Sequence, residues 1–547
     1  MTRTTTRREF LAASAAGTLA AALPLAAPSR RNGGTAERGS QDVALEEATV
    51  ADLQGHMDAG RVTAAGLCAA YLQRIDEIDR SGSTLRSVIE VNPEAITIAE
   101  GLDAERRAGR VRGPLHGIPV LIKDNIATRD RMSTTAGSLA LDGVIAPRDA
   151  FLVGKLRAAG AVLLGKTNLS EWANFRSTQS SSGWSGRGGQ CKNPYALDRN
   201  PCGSSSGTGA ALAASLATVG IGTETDGSVV CPSNANGLVG VKPTVGLVSR
   251  SGIIPISHTQ DTAGPMCRTV TDAAILLSVI AGRDAEDAAT ERRNGGTAEG
   301  VDYAAFLDRG ALRGARIGVA RQKFWGYSPE ADRVCETALQ ALRDAGAVVV
   351  DPADIPNAGE YDNAEWQVLL YEFKADLNAY LRDWAPMSPA KTLADLIAFN
   401  ERERAREMPY FGQEIFTLAE AKGPLAEKEY VDALETCGRL SRAEGIDAVM
   451  AEHRLDAIVA PTGSPAWPID LVNGDHFQGA SSTPGAVSGY PHLSLPVGHS
   501  FGLPVGLTFL GRPWSEGKLL ALAYALEQTI NARRPPRYLP TADLSTP

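Results

Sequence analysis

Cysteine is scarce in this chain, with seven in 547 residues, at positions 68, 191, 202, 231, 267, 335 and 437. So few, so scattered and odd in number, they exclude a disulfide-framed fold, and small buried packing is the expected role of Cys202 and Cys231. Histidine is as scarce, and the seven present form neither His-x-x-x-His with a glutamate nor a Cys/His cluster. No structural or catalytic metal, and no other cofactor, is therefore expected. Dense basic blocks are also missing: 63 acidic residues against 54 basic ones leave a net charge of -9, which removes nucleic acid from the expected partners. Past the N-terminus there is no long apolar run suited to a membrane span. The best candidate, Ala210 to Gly222, is Ala-rich and glycine-bounded, which predicts a buried core helix. What the chain does have is 43% hydrophobic and 21% charged residues, the composition of a large soluble globular protein.

The N-terminus reads differently from the rest. Arg7 and Arg8 precede Phe10 and Leu11, and a small, Ala-rich apolar run then ends near Pro24 and Ala27. This pattern resembles a twin-arginine signal peptide, so residues 1–38 are expected to be leader and linker, cleaved somewhere between Ala22 and Arg38, with the mature protein exported. A membrane-anchoring helix is the competing reading of a short, Gly- and Ser-interrupted run. The octapeptide RRNGGTAE occurs twice, at Arg30 to Glu37 and at Arg292 to Glu299, with unlike flanks; both copies read as exposed loops and imply no repeat architecture.

From about Val50 through Ile78 the periodicity is helical, Ser87 to Val91 is strand-like, and Pro93 to Ala108 is helical again. Val120 to Ile122 predicts a short buried strand with Pro119 at its start, and Ala161 to Leu164 repeats the signal. Asp302 to Asp308 and long tracts between Glu330 and Glu444 look helical. Strands alternating with helices predict an α/β layered fold, with residues 39–547 as one domain and a variable helical region at about 302–444.

Between Gln179 and Val230 the chain is rich in Ser and Gly and runs without a polar break into the Ala-rich segment. Serines at such a junction commonly cap a helix, and Ser204, Ser205 and Ser206 are open to that reading. Ser228, in GTETDGSVVCP, raises a chemical question, because no Gly-x-Ser-x-Gly, Ser/His/Asp or Ser-x-x-Lys pattern surrounds it to remove its proton. Sequence alone leaves a histidine base possible. Lys123 is the other candidate: it ends the apolar strand IPVLIK, where burial would lower its pKa and leave an amine able to accept a proton, although a lysine at a strand end can also reach water.

The segments LHGIPVLIKDNI, GKTNLSEWA, NPCGSSSGTGAALAA, GTETDGSVVCPSNANGLVGVKPTVGLVS and DTAGPM, followed by DAIVAPT and YPHLSLPVGHSFGLPVGLTFLG, together resemble the amidase signature family over most of the chain. The resemblance implies an α/β/α sandwich with a large mixed central sheet covered by helices. It also implies a Lys–cis-Ser–Ser triad of Lys123, Ser204 and Ser228. Lys123 would draw a proton from Ser204, which takes one from Ser228, and Ser228 would form an acyl-enzyme with the amide substrate. The backbone N–H groups of Thr225, Asp226, Gly227 and Ser228 would form the oxyanion hole, with Ser205 in a supporting role. TETDGSVVCP with PCGSSSG looks most like the peptide amidase branch, whose members remove the C-terminal amide from peptides. Two positions depart from many relatives: Asp226 stands where a glycine is usual, its side chain free to face the substrate or turn away, and Val230 stands where an arginine is usual. His116 and Asp124 are expected to be structural, and Trp172, Trp184 and Tyr195 to be core or pocket wall. Competing functions are one chain of an amidotransferase that works with partner chains, and a catalytically silent binding protein on the same fold. The expected partners of the enzyme are an amide substrate and water, with no stable membrane anchor. Oligomeric state is not legible.

Overall fold

The strand Pro119–Lys123 sets the pattern for the interior. Val120, Leu121 and Ile122 are wholly buried, and each such side chain contributes about 1.5–3 kcal/mol of burial free energy. That strand belongs to an eleven-stranded mixed sheet in the computed structural model, which describes residues 43–291 and 300–545. The leader and linker at 1–38 and both copies of RRNGGTAE lie outside the described residues. Ser40–Pro547 forms one compact unit.

In order across the sheet the strands are Val88–Val91, Val162–Thr167, Pro119–Lys123, Val219–Glu224, Thr262–Cys267, Val239–Lys242, His492–Ser500, Leu503–Leu510, Ala457–Pro461, Arg316–Val319 and Val348–Val350. Pro119–Lys123 runs parallel to both its neighbours, whereas Val219–Glu224 runs antiparallel to Thr262–Cys267. Helices pack on the sheet: Ser206–Ala213 against the strands of the functional motifs, Val270–Ile280 beside Thr262–Cys267, and Pro329–Asp344 and Glu516–Ile530 over the long hairpin His492–Leu510. This is the α/β sandwich with a large mixed sheet that the family resemblance implies.

Several boundaries differ from expectation. The stretch Val50 to Ile78 is two helices and a wider turn, because the chain turns at Gly60 (φ 65°) and Thr63 caps a new helix, Ala64–Arg74. Ala210 to Gly222 is not one core helix. The helix ends at Ala213, Ser215 takes φ 52°, and the β-branched Val219 and Ile221 enter the sheet between two other strands. The Asp302 to Asp308 stretch holds only a single 3-10 turn, Tyr303–Phe306. The region at about 302–444 is mostly helical, yet it also supplies the two strands at one edge of the sheet, Arg316–Val319 and Val348–Val350.

Candidate active site

Lys123 closes its strand with a side chain that has no exposure. Its Nζ donates to Ser204 Oγ at 2.8 Å, to Thr223 Oγ1 at 2.9 Å and to Thr223 O at 3.2 Å. Burial penalises the ammonium form more than the nearby Asp261 and Glu224 favour it, and the pKa falls to about 7. A lysine so placed is neutral in a large fraction of molecules near neutral pH and can take a proton from the hydroxyl it touches.

Ser204 reaches Lys123 from the turn that leads into the helix Ser206–Ala213, and its peptide bond with Gly203 is cis. Glycine is required there, since a Cβ on Gly203 would fall 2.2 Å from Ser170 Oγ. Ser205 does not cap the helix with its side chain; its Oγ instead donates to Thr223 O at 3.1 Å and accepts from Thr223 N–H at 3.2 Å. Thr223, adjoining Ser205 and Lys123, locks the two segments together. Ser228 is joined to the same knot through its carbonyl, which accepts from Ser205 N–H at 3.2 Å. No hydrogen bond joins the Ser204 and Ser228 hydroxyls, so the chain of contacts from Lys123 is complete as far as Ser204. Catalytic hydrogen bonds of this kind commonly tighten only when substrate is bound.

The turn Thr225 to Ser228 follows the strand Val219–Glu224 and bends at Gly227, φ 77°. Among the described residues, none accepts from the N–H groups of Asp226, Gly227 or Ser228, whereas those of Val229 and Val230 are taken by Glu224 Oε2 at 2.7 and 3.0 Å. The Asp226 carboxylate accepts from Ser482 Oγ at 2.5 Å and Thr483 Oγ1 at 2.7 Å, and all three residues line the cavity that Ser228 borders. Its pKa is raised by burial, which the two hydroxyls partly offset. Thr225 is anchored through its hydroxyl to Asp261 Oδ1 at 2.6 Å.

Ser228, Gly227 and Gly203 border a cavity of about 820 Å³. Its apolar walls include Trp366, Leu369, Ile415 and Trp467, with Phe477 at 53% exposure also lining it. Wall residues Trp366 and Trp467 carry no motif and so gave no signal in the sequence; Trp172, Trp184 and Tyr195 line none of this cavity and are core. Trp172 stacks edge-on against Phe416, Trp184 against Phe411, and Tyr195 donates its hydroxyl to Arg534 O at 2.5 Å. Two more cavity residues, Cys202 and Cys231, are joined as a disulfide with Cα atoms 5.9 Å apart, so the expectation of separate packing is corrected. The bond ties the segment before Gly203 to the helix Val230–Ala235 after Ser228, two segments that the fold around the cavity brings within bonding reach.

His116 is structural as expected: buried, with Nε2 3.0 Å from Leu102 O and Nδ1 facing Arg112 N–H at 3.4 Å. Asp124 likewise ties down chain, accepting from the Thr135 hydroxyl, while its own carbonyl accepts from Thr135 and Ala136 N–H groups, each at 3.0 Å. His258, Glu372 and Asp376 converge in a way that could hold a cation, but Glu372 is already occupied by Ser257, Thr259 and Tyr430 and His258 by Asp376. No helix among the described residues is long and apolar enough to cross a membrane.

A wide cavity bordered by Ser228 and Gly203, with a buried amine bonded to the serine that follows Gly203, is an arrangement suited to attack on acyl groups, and the likeness to known proteins gives the bond. The family model Amidase matches residues 67–520. A probable amidase of Arabidopsis thaliana is 42% identical over 91% of this chain and 93% of its own. A glutamyl-tRNA(Gln) amidotransferase chain of Acinetobacter baylyi is 34% identical over 88% of this chain and 96% of its own. Among solved structures, a peptide amidase in complex with the competitive inhibitor chymostatin is 55% identical, with a TM-score of 0.87, over 90% of this chain and 99% of that one. The protein is thus a hydrolase acting on amide bonds. More particularly, the chain belongs to the amidase family.

Proposed function

We propose that this amidase removes the C-terminal amide from peptides through an acyl-enzyme on Ser228. The observation that carries the reading is the 2.8 Å hydrogen bond from a buried Lys123 to Ser204, next in the chain to Gly203, which lines the same cavity as Ser228. Neutral Lys123 takes the Ser204 proton as Ser204 takes that of Ser228, and Ser228 Oγ adds to the substrate carbonyl. The N–H groups of the turn Thr225 to Ser228 receive the oxyanion, and each such donor is worth about 3–4 kcal/mol in the transition state. Ser204 then returns a proton to the leaving nitrogen, ammonia departs, and water activated through the same groups hydrolyses the ester.

Two observations support a peptide substrate over a small aliphatic amide: the cavity of about 820 Å³ has room for more than one residue, and the 55% identical structure is a peptide amidase. The amidotransferase chain is less similar, at 34%. Measuring ammonia release from peptide amides and aliphatic amides, and aniline release from anilides, tests the assignment; a preference for small aliphatic amides overturns it.

We propose in addition that the protein is exported by the twin-arginine route. Arg7 and Arg8 before the small apolar run support this, as does the Cys202–Cys231 disulfide, a bond that persists in oxidising compartments. Replacing both arginines with lysine is expected to leave unprocessed protein in the cytoplasm, and normal export of that variant overturns the assignment.

A further inference from the structure

Glu224 is the last residue of the strand Val219–Glu224, four residues before Ser228, and it is wholly buried. Burial opposes its charge, yet the His492 imidazole, Lys242 and the backbone N–H of Val229 hold its pKa at about 2. Its two oxygens divide the work. Oε2 accepts from the N–H groups of Val229 and Val230, while Oε1 lies 2.7 Å from His492 Nε2. With those two N–H groups drawn inward, the preceding ones, at Asp226, Gly227 and Ser228, are left without protein acceptors.

His492 opens the strand His492–Ser500, where it sits opposite Lys242. Its side chain has no exposure and, among the described residues, its Nδ1 has no hydrogen-bond partner and Glu224 is the one polar group that orients the ring. The fold keeps room for it: a Cβ on Gly485 would lie 2.1 Å from His492 Nδ1, and Gly485 belongs to the helix Thr483–Ser488, whose first residue binds Asp226. His492 therefore stands where strand, helix and turn meet.

We propose that Glu224 and His492 form a positioning pair for the oxyanion turn: His492 orients the Glu224 carboxylate, and Glu224 pulls the Val229 and Val230 N–H groups inward so that the turn's preceding N–H groups and the Ser228 hydroxyl face the substrate carbonyl. The inference rests on the reading of Ser228 as nucleophile. Neither residue touches substrate, so the pair acts on the transition state and leaves ground-state binding alone.

The test measures kcat and KM on a peptide amide for His492→Leu, His492→Gln, Glu224→Gln and Ser228→Ala. Alongside these it measures affinity for a peptide aldehyde, which adds to the nucleophile, and for the matching peptide alcohol, which does not. His492→Leu is expected to lower kcat about tenfold or more and to weaken aldehyde binding by a comparable factor, with KM and alcohol binding within about twofold. His492→Gln, which keeps an N–H donor for Glu224, is expected to recover most of the loss. Where His492→Leu fails to fold, Glu224→Gln reads the same split, since it keeps the volume and one acceptor oxygen but loses the charge. The proposal is overturned by an unchanged kcat, by equal losses in aldehyde and alcohol binding, or by Gln and Leu variants that fall equally. Activity surviving in Ser228→Ala would overturn the nucleophile assignment itself, which separates the two failures.

Discussion

At and beneath the floor of the cavity, Lys123 ends a strand, Ser228 lies in the turn after another and Ser204 in the turn before a helix, whereas the walls come from Trp366 on the helix Asp362–Asp383, Ile415 on the helix Glu414–Glu420 and Trp467 in a loop. The floor is hydrogen-bonded: Lys123 makes three bonds, Thr223 locks Ser205, and Glu224 gathers two N–H groups. The walls named here are apolar and hold their shape by packing. A floor fixed by directional bonds to the sheet sets the rate, and a wall built from packed rings sets which acyl chain is accepted. Changes at the two places are therefore expected to separate into kcat and KM.

The largest effect is expected at the floor. Lys123→Ala and Ser228→Ala should each lower kcat about a thousandfold or more in steady-state ammonia release, with Ser204→Ala retaining more because a water can bridge the gap. Lys123→Met sharpens the comparison further. Burial lowers the amine's pKa, so between about 7 and the ordinary lysine value the unfolded chain holds a proton that the native chain has lost, and stability rises with pH across that interval. Removing the amine should flatten that slope in thermal melts at pH 7 to 10 while abolishing activity.

The pH profile comes next. Because the reactive form is the neutral amine, kcat/KM should fall about tenfold per unit of acidification below an apparent pKa near 7, read from initial rates. A profile flat from pH 5 to 8 would remove Lys123 as base. At the wall, Trp366→Ala should raise KM several-fold for a peptide amide with a bulky C-terminal residue and move kcat by about twofold or less; a loss confined to kcat would break the distinction between wall and floor. Smallest of all, His116→Gln should leave kcat/KM within about twofold and cost about 1 kcal/mol in denaturant unfolding, since its ring is bonded to Leu102 and Arg112 and not to the site.

The same division decides what could be read in the sequence. Lys123, Ser204 and Ser228 each lie in a short contiguous motif, and the strand that ends in Lys123 announces itself as an apolar run. The partners that orient the motifs are distant: Asp226 meets Ser482 across 256 positions, and Glu224 meets His492 across 268. How the Asp226 side chain is held could not be read, because the hydroxyls it accepts from, on Ser482 and Thr483, belong to another element. The Cys202–Cys231 pairing, 29 residues apart, needed the fold to bring two segments together at the cavity. The switch from helix to strand inside Ala210 to Gly222 was hidden because a short buried strand and a buried helix are equally apolar over a few residues.

The strand Val219–Glu224 is clasped by Pro119–Lys123 on one side and by Thr262–Cys267 on the other, and the turn bearing Ser228 is its direct continuation. Its amide hydrogens can meet solvent only if neighbouring strands part, so they should be among the slowest to exchange in the whole chain. The lysine, the middle serine's neighbour and the nucleophile's turn cannot come apart while the sheet remains closed. Heat should therefore inactivate this enzyme at the temperature where the sheet itself opens, with no earlier window in which a folded but chemically silent molecule accumulates.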